Sequence, residues 1–400
     1  MEEQAGLSGF FEKYLKKEPL FVSKQVLQVR YVPDTILHRK EQIDMLASIL
    51  APALRSDLPS NVFLYGKTGT GKTVVTKHVL KELEKVGTDN LKIIYLNCKL
   101  KKVADTEYRL IAQLAREMGE AVPATGLPTD EVYNIFLKAV DSKKQLVIIA
   151  LDEIDRLVSK AGDEILYNLT RLNSELKNAQ IAIIGITNDV RFIESVDSRV
   201  RSSLGEEEMV FAPYNALELK EILEARASLA FKESACADGV IAKCAAYAAR
   251  EHGDARRALD LLRVAGELAE RESSEGIAMK HIDLAEEKIE KSRIIEVVEK
   301  QPKQSQAVLF AIIELVQDSD SKRVETGEVY ERYSEVCKSV GLTALTQRRV
   351  SDLLSELDML GVINAQVVSK GRYGRTKEIY LSVSKQIMER IKEMLSKSLV

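Results

Sequence analysis

Two regimes of hydrophobic patterning divide the chain. Through the first half, short apolar runs alternate with stretches in which apolar residues recur every three or four positions. The runs Asn61 to Tyr65, Lys92 to Asn97, Leu146 to Leu151, Ile181 to Thr187 and Glu208 to Phe211 read as strands. Leu146 to Leu151 has no polar position, the mark of a strand covered on both faces, so the alternation predicts a parallel sheet with helices on either side. After Tyr214 the strand pattern stops. Helical spacing takes over at 215–231, 238–251, 255–272 and 279–299, rich in alanine and charge, which predicts a separate helical lid.

Gln301-Pro302-Lys303 interrupts the helical pattern, because proline lacks an N–H and clashes with the preceding turn. The break predicts three domains: 1–213, a nucleotide-binding α/β domain; 214–300, the lid; and 301–400. In the last of these, amphipathic spacing predicts helices over 305–317, 326–339 and 346–360, with Gly361 as a C-cap. Short strands over 362–368 and 377–383 flank the basic turn Ser369 to Thr376, and a closing helix starts near Ser384. Three helices and a hairpin describe a winged helix-turn-helix.

Composition narrows the classes. At 45% hydrophobic and 30% charged the chain has the make-up of an ordinary globular protein, and a net charge of −3 means that any nucleic-acid site must be a local patch. There is no apolar run of about eighteen residues to span a membrane. Met1 to Phe11 lacks the basic start and apolar core of a secretory signal. Cys98, Cys236, Cys244 and Cys337 lack metal-ligand spacing and read as small, reduced core residues.

The chemistry concentrates at strand ends. Gly66-Lys67-Thr68-Gly69-Thr70-Gly71-Lys72-Thr73 fits G-x-x-x-x-G-K-[ST], preceded by a strand and followed by a helical stripe of Val75, Val79, Leu83 and Val86. In that context backbone N–H groups at a helix start cradle phosphates; Gly66, Thr68, Gly69, Thr70, Gly71 and Val74 frame them, Lys72 neutralises them and Thr73 ligates Mg2+. Asp152-Glu153 ends the apolar strand; alone such a pair is common at the start of a loop. Coupled to the phosphate loop, Asp152 reads as the second Mg2+ residue and Glu153 as the base that polarises the attacking water. These features define a nucleotide triphosphatase using ATP, which leaves ADP, and Mg2+.

Ile184-Gly185-Ile186-Thr187-Asn188 ends another strand. If that strand lies between the phosphate-loop strand and the acidic one, Asn188 can hold the lytic water beside Glu153. Ser198-Arg199-Val200-Arg201-Ser202-Ser203 places two arginines in an expected exposed loop, either as a solvated charge cluster or, as in multimeric ATPases, with Arg199 or Arg201 as a finger to a neighbouring subunit's γ-phosphate. Gly253-Asp254-Ala255-Arg256 opens a lid helix, and Arg256 over the nucleotide would couple phosphate state to lid angle.

Together these motifs resemble the AAA+ ATPases. With the winged-helix tail and the segment Val32 to Gln42 (VPDTILHRKEQ), the chain resembles the archaeal replication initiators of the Orc/Cdc type from about residue 20 to its end. The resemblance implies an α/β AAA+ P-loop ATPase core with a helical lid, followed by an α+β winged-helix domain. It implies ATP-gated binding to double-stranded origin DNA, slow hydrolysis used as a switch, and help in loading the replicative helicase. Other initiator copies on DNA are implied partners, a membrane is not, and the expected location is cytoplasmic and nucleoid-associated. It also places Val32, His38 and Arg39 at the nucleotide and assigns Arg109 and Arg116, on a helix over 104–118, to DNA. The family's eukaryotic members often carry arginine where this chain has Ser203.

On the second helix of the helix-turn-helix, Val350, Leu353, Leu354, Leu357 and Leu360 form the buried stripe, leaving Gln347, Arg348, Arg349, Ser351 and Ser355 for DNA. The wing brings Lys370, Arg372, Tyr373, Arg375 and Lys377, with no acid between 370 and 377. The competing readings are an AAA+ DNA motor, which predicts fast DNA-stimulated hydrolysis, and an ATP-gated transcription regulator. A clamp-loader subunit fits poorly, because it carries Ser-Arg-Cys in the finger loop and a helical collar in place of a wing.

Overall fold

The structure, a computed structural model, describes residues 18–99, 106–123, 125–204, 206–318, 323–369, 375–383 and 385–399. The chain divides into two compact units after Ile282, within the helix Met279–Glu299.

The first unit is built on a parallel sheet of β1 (Val62–Tyr65), β2 (Leu91–Asn97), β3 (Leu146–Asp152), β4 (Gln180–Thr187) and β5 (Glu207–Val210), in the order β2-β3-β4-β1-β5. β4 therefore separates the phosphate-loop strand from the acidic strand, as the reading of Asn188 required. Period-two alternation sorts the side chains. Val62 and Leu64 face Leu46, Leu50, Val75, Val79 and Leu80 on the helices Lys40–Leu50 and Lys72–Val86. Phe63 faces the opposite layer, with Leu110, Ile111, Leu114 and Phe136 from the helices Glu107–Glu117 and Thr129–Val140. Every residue of β3 is buried, which explains its unbroken apolar run. Full burial of each such side chain stabilises by about 1.5–3 kcal/mol.

The lid follows in the same unit. Ala216–Ala230 starts in a capping box of Asn215 and Glu218, Val240–Arg250 packs beside it, and Ala255–Arg271 is capped by Asp254. The segment from Leu20 to Leu27 lies across the lid. Phe21 packs on Phe231 at 4.6 Å, and the buried Glu270 carboxylate accepts from Leu20 N at 3.1 Å and Lys24 Nζ at 2.9 Å.

The second unit packs helices Lys303–Asp318, Thr326–Ser339, Gln347–Met359 and Lys385–Leu399 with an antiparallel sheet of β6 (Arg323–Glu325), β7 (Ile363–Ser369) and β8 (Arg375–Leu381), ordered β6-β8-β7. Tyr333 anchors its core: the ring is fully buried, its hydroxyl donates to Gln304 Oε1, and it accepts from Leu345 N at 3.0 Å. Gly361 turns the chain at φ 72°, as expected of a C-cap. β6 escaped the pattern because three residues carry no periodicity. This is a winged helix. Among the described residues, no helix is long and apolar enough to cross a membrane.

Candidate nucleotide site and winged-helix face

The loop between β1 and the helix Lys72–Val86 is held from behind and clamped from above. From behind comes Arg39, only 5% exposed, whose Nε donates to Thr70 O at 2.8 Å and whose terminal nitrogens donate to Ala212 O at 2.6 Å and His38 O at 2.9 Å. Its guanidinium also lies 3.8 Å from the centre of the Tyr214 ring. From above comes the start of the lid helix, where Asp254 accepts from Arg256 N at 2.7 Å and from the Thr68 hydroxyl at 3.3 Å, and Ala255 N donates to Gly69 O at 3.2 Å. Gly69 has φ +69°, and a Cβ there would fall 1.7 Å from Asp254 Oδ1. Gly71, at φ +96°, caps the helix where a Cβ would meet the Tyr214 hydroxyl at 2.7 Å.

Lys72 is buried inside this loop, its Nζ donating to Gly66 O and Lys67 O, each at 2.7 Å. Burial pushes the ammonium down to about 8, and nearby Arg256 adds to that; Asp152, Asp254 and Asp155 pull in the other direction. Beside it, Thr73 Oγ1 donates to Asp152 Oδ2 at 3.0 Å, Tyr95 donates its hydroxyl to the same oxygen, and Glu153 N donates to Asp152 Oδ1 at 3.0 Å. Burial, followed by the charge of Asp152, raises the Tyr95 phenol well above its ordinary range, so it stays a donor.

Glu153 sits at φ 57°, a left-handed conformation unusual outside glycine, at the turn into the helix Ile154–Ala161. Its carboxylate is mostly buried and lies 3.6 Å from Lys99 Nζ. The next strand end is braced by Thr187, whose hydroxyl donates to Asp155 Oδ1 at 2.8 Å and accepts from Asp189 N at 3.1 Å, leaving Asn188 half-buried beside Glu153 in the same cavity wall.

The phosphate loop, the two strand ends and the start of the lid helix border one cavity of about 600 Å³. Gly69, Thr70, Gly71, Lys72, Thr73, Val74, Asp152, Glu153, Asn188 and Arg256 form its polar end. Val32, Ile36, Ile222, Leu229 and Leu259 form an apolar end. The residue set fits a magnesium nucleotide. The apolar end suits a base, the helix start and Lys72 suit phosphates, and Thr73 with Asp152 supplies the one or two hard oxygen ligands that magnesium takes from a protein.

Several candidate residues fall elsewhere. Gly66 and Thr68 belong to the loop but do not line the cavity, and neither do His38 and Arg39. Arg39 is a strut because every polar edge of its guanidinium meets a backbone carbonyl; His38 Nε2 lies 3.0 Å from Glu221. The stretch expected to be a loop is the helix Ser198–Leu204. Asp197 starts it, accepting from Arg199 N at 2.8 Å and, through its carbonyl, from Arg201 N at 3.0 Å. Both arginines are exposed; Arg199 pairs with the Asp197 carboxylate at 3.0 and 3.1 Å and lies over the Tyr167 ring. Arg116, expected outside, is half-buried with its Nε on Val122 O at 2.9 Å; Arg109 is half-buried one turn from the cap Thr106.

On the winged helix, Val350, Leu353, Leu354 and Leu357 are buried, and Gln347, Arg348 and Arg349 are exposed in the first turn. Arg349 lies 3.6 Å from Asp352. Ser351 and Ser355, expected to point away from the core, are half-buried, and the Ser355 hydroxyl is engaged within the domain. Lys377, one of the expected wing cations, reaches in to donate to Ser355 Oγ at 2.7 Å and to the Ser351 backbone carbonyl at 3.4 Å. Arg375 begins β8, paired with Ser369. Lys370, Arg372 and Tyr373 lie outside the described residues.

Sequence reasoning missed Asp254, Tyr95 and Tyr214. Asp254 had a visible signal, standing as a good N-cap residue directly before a helical stripe. The two tyrosines carried none.

A five-stranded parallel sheet with a phosphate loop at β1, acids at the end of β3 and a helical lid over both defines an AAA+ ATPase, joined here to a winged helix. Family models agree segment by segment: an AAA domain matches residues 56–193, a Cdc6 AAA+ ATPase-type lid domain 220–287, and a CDC6 C-terminal winged helix domain 296–391. The chain is 53% identical over 387 residues to an ORC1-type DNA replication protein 1 of Methanosarcina mazei, covering 96% of this chain and 92% of that one. It is likewise 53% identical over 389 residues to an ORC1-type DNA replication protein of Pyrococcus abyssi, with the same coverage. Among solved structures it is similar to the Aeropyrum pernix ORC1 protein in complex with DNA, with a TM-score of 0.82, 44% identity, and coverage of 96% of this chain and 100% of that one. It shares its fold with Cdc6p of Pyrobaculum aerophilum, with a TM-score of 0.60, 20% identity, and coverage of 95% and 98%. The chain belongs to the ORC1-type DNA replication proteins, the archaeal initiators of the Orc/Cdc type.

Proposed function

We propose that this initiator binds ATP with Mg2+ in the cavity between phosphate loop and lid, and that nucleotide state governs its hold on double-stranded origin DNA. The observation that carries the reading is the convergence of Lys72, Thr73, Asp152, Glu153, Asn188 and Arg256 on one cavity wall. Lys72 and the N–H groups of Gly69 to Thr73 bind and orient the phosphates. Thr73 and Asp152 hold the metal, which when bound neutralises the charge that develops on the transferring phosphoryl group. Glu153, fixed by its left-handed backbone, orients the attacking water with Asn188 and takes its proton. Arg256, at the start of the lid helix, senses the phosphates and passes their state to the lid. Arg199 or Arg201 supplies a finger to a neighbouring copy on DNA; both are exposed, and Arg199 would first have to leave the Asp197 carboxylate.

In this reading residues 1–213 are the nucleotide domain, 214–300 the lid and 301–400 the DNA-binding domain. The exposed first turn of the helix Gln347–Met359 enters the major groove, where Arg348 and Arg349 meet guanine edges or phosphates, while Gln347 can contact adenine. The wing, through Lys370, Arg372, Tyr373 and Arg375, tracks the backbone or minor groove. Arg109 and Arg116 form the weaker contact from the nucleotide domain, since Arg116 must leave Val122 to reach DNA. Hydrolysis is slow and acts as a switch, the bound state helps to load the replicative helicase, and the protein works in the cytoplasm at the nucleoid.

Footprinting of the full chain on its own genomic DNA, beside a variant lacking Arg372 and Arg375, tests the reading. A few discrete repeated sites near a replication start, lost in the variant, are expected. Protection scattered over promoters would point instead to a regulator, and rapid DNA-stimulated turnover without sequence preference to a motor.

A further inference from the structure

Tyr95 belongs to no motif, yet it reaches the centre of the site. On β2 it stands opposite Ala150 of β3, and Asn97 stands opposite Asp152. Side chains two residues apart along a strand share a face, so Tyr95, Ala150 and Asp152 all project toward the helix Lys72–Val86. Ala150 leaves room, and the tyrosine leans along the sheet over it until its hydroxyl meets Asp152 Oδ2. Lys77, one turn beyond Thr73, fixes the ring from the other side with its Nζ 4.5 Å from the ring centre.

The consequence lies in how Asp152 is occupied. Oδ1 takes Glu153 N, and Oδ2 takes both Thr73 Oγ1 and the Tyr95 hydroxyl. Thr73 donates its proton to Asp152, so its remaining lone pairs are aimed by wherever that carboxylate is held. Without Tyr95, Oδ2 would keep only the Thr73 hydroxyl, which can turn with the carboxylate as it swings about its side-chain bonds. A second donor from an adjacent strand removes that freedom.

We propose that Tyr95 is a positioning residue for magnesium: by fixing the Asp152 carboxylate it aims the Thr73 hydroxyl oxygen, and so sets the affinity for the metal that accompanies the nucleotide. The proposal rests on the nucleotide reading of this cavity. Groups that orient metal ligands typically alter metal affinity by about 10- to 100-fold when removed.

The test is a titration of Mg2+ into full-length protein holding a fluorescent ADP analogue, for wild type and Tyr95→Phe, with the analogue's affinity also measured in excess chelator. Tyr95→Phe keeps the ring over Ala150 and under Lys77 and deletes only the donor. The half-saturating Mg2+ concentration is expected to rise about tenfold, with metal-free affinity unchanged. Identical Mg2+ curves would overturn the role of Tyr95 while leaving the site intact. An equal loss with and without metal would also overturn it, by making Tyr95 a packing or base contact. A wild-type protein whose nucleotide binding ignores Mg2+ would remove the site reading itself, and the proposal with it.

Discussion

The hydroxyl of Thr68 in the phosphate loop donates to the carboxylate of Asp254, 3.3 Å away and 186 residues later in the chain. The same carboxylate caps the lid helix through Arg256 N and Arg257 N. One side chain thus joins the loop that cradles phosphates to the helix that carries Arg256, and a shift of either element is felt by the other.

Replacing Asp254 with alanine should remove both the cap and the latch. Loss of the cap alone costs about 1 kcal/mol, and thermal unfolding of the free protein should record it. Gly69→Ala should be far more damaging to nucleotide binding, because its Cβ has no room beside Asp254 Oδ1. Part of that damage should vanish in the Asp254→Ala background, a coupling of about 1 kcal/mol or more in a double-mutant cycle. Strict additivity would mean that the latch does not form in solution.

Lys72→Ala should abolish nucleotide binding, read by equilibrium dialysis or fluorescence. Undiminished affinity would sink the phosphate-loop assignment.

The same lysine sets a pH dependence. Its folded value, near 8, lies below its ordinary 10.5, so above pH 8 the free protein has lost a proton that a phosphate needs. Nucleotide affinity should therefore hold steady below pH 8 and fall by about tenfold per unit above it, until the value in the complex is reached. The linkage runs the opposite way for folding: between pH 8 and 10.5 the unfolded chain binds the extra proton, so the nucleotide-free protein gains stability as pH rises. Affinity that is flat up to pH 10 would show that the ammonium is not depressed.

Glu153→Ala should bind ATP yet turn it over at least a hundredfold more slowly, since a positioned base contributes about 10²- to 10⁴-fold. Single-turnover hydrolysis with radiolabelled ATP is the measurement, and wild-type rates would exclude Glu153 as the base.

Removing Arg348 and Arg349 together should weaken DNA binding and lower the dependence of log K on log salt by roughly two, close to one for each phosphate no longer neutralised. A weaker affinity with an unchanged slope would place them on bases alone.

How much of the molecule is legible in the chain alone follows from how local each feature is. The phosphate loop, the Asp152-Glu153 pair and the amphipathic stripe of the helix Gln347–Met359 are contiguous in sequence, and their chemistry demands particular residue types at short, set spacings. The strand pattern went further, because the unbroken run in β3 can only be covered on both faces. The place of β4 between β1 and β3, on which the reading of Asn188 was conditioned, was not legible in the motifs themselves and is set by the sheet order. The helix Ser198–Leu204 was hidden, since its start depends on Asp197, a residue as common in turns as in caps. β6 was hidden because three residues hold no period.

The sequence by itself determined which residues carry the charge, the hydroxyls and the carboxylates of this site, and which segments form the sheet, lid and winged helix. Only the tertiary structure decided that Arg39 braces the loop from behind, that Asp254 latches it to the lid, that Tyr95 steadies Asp152 and that Lys377 turns inward to Ser355. The physical reason is one of range. Propensity and periodicity act over a few residues, whereas these contacts depend on strand register, on the route of crossovers and on which side chain is long enough to span the gap that results.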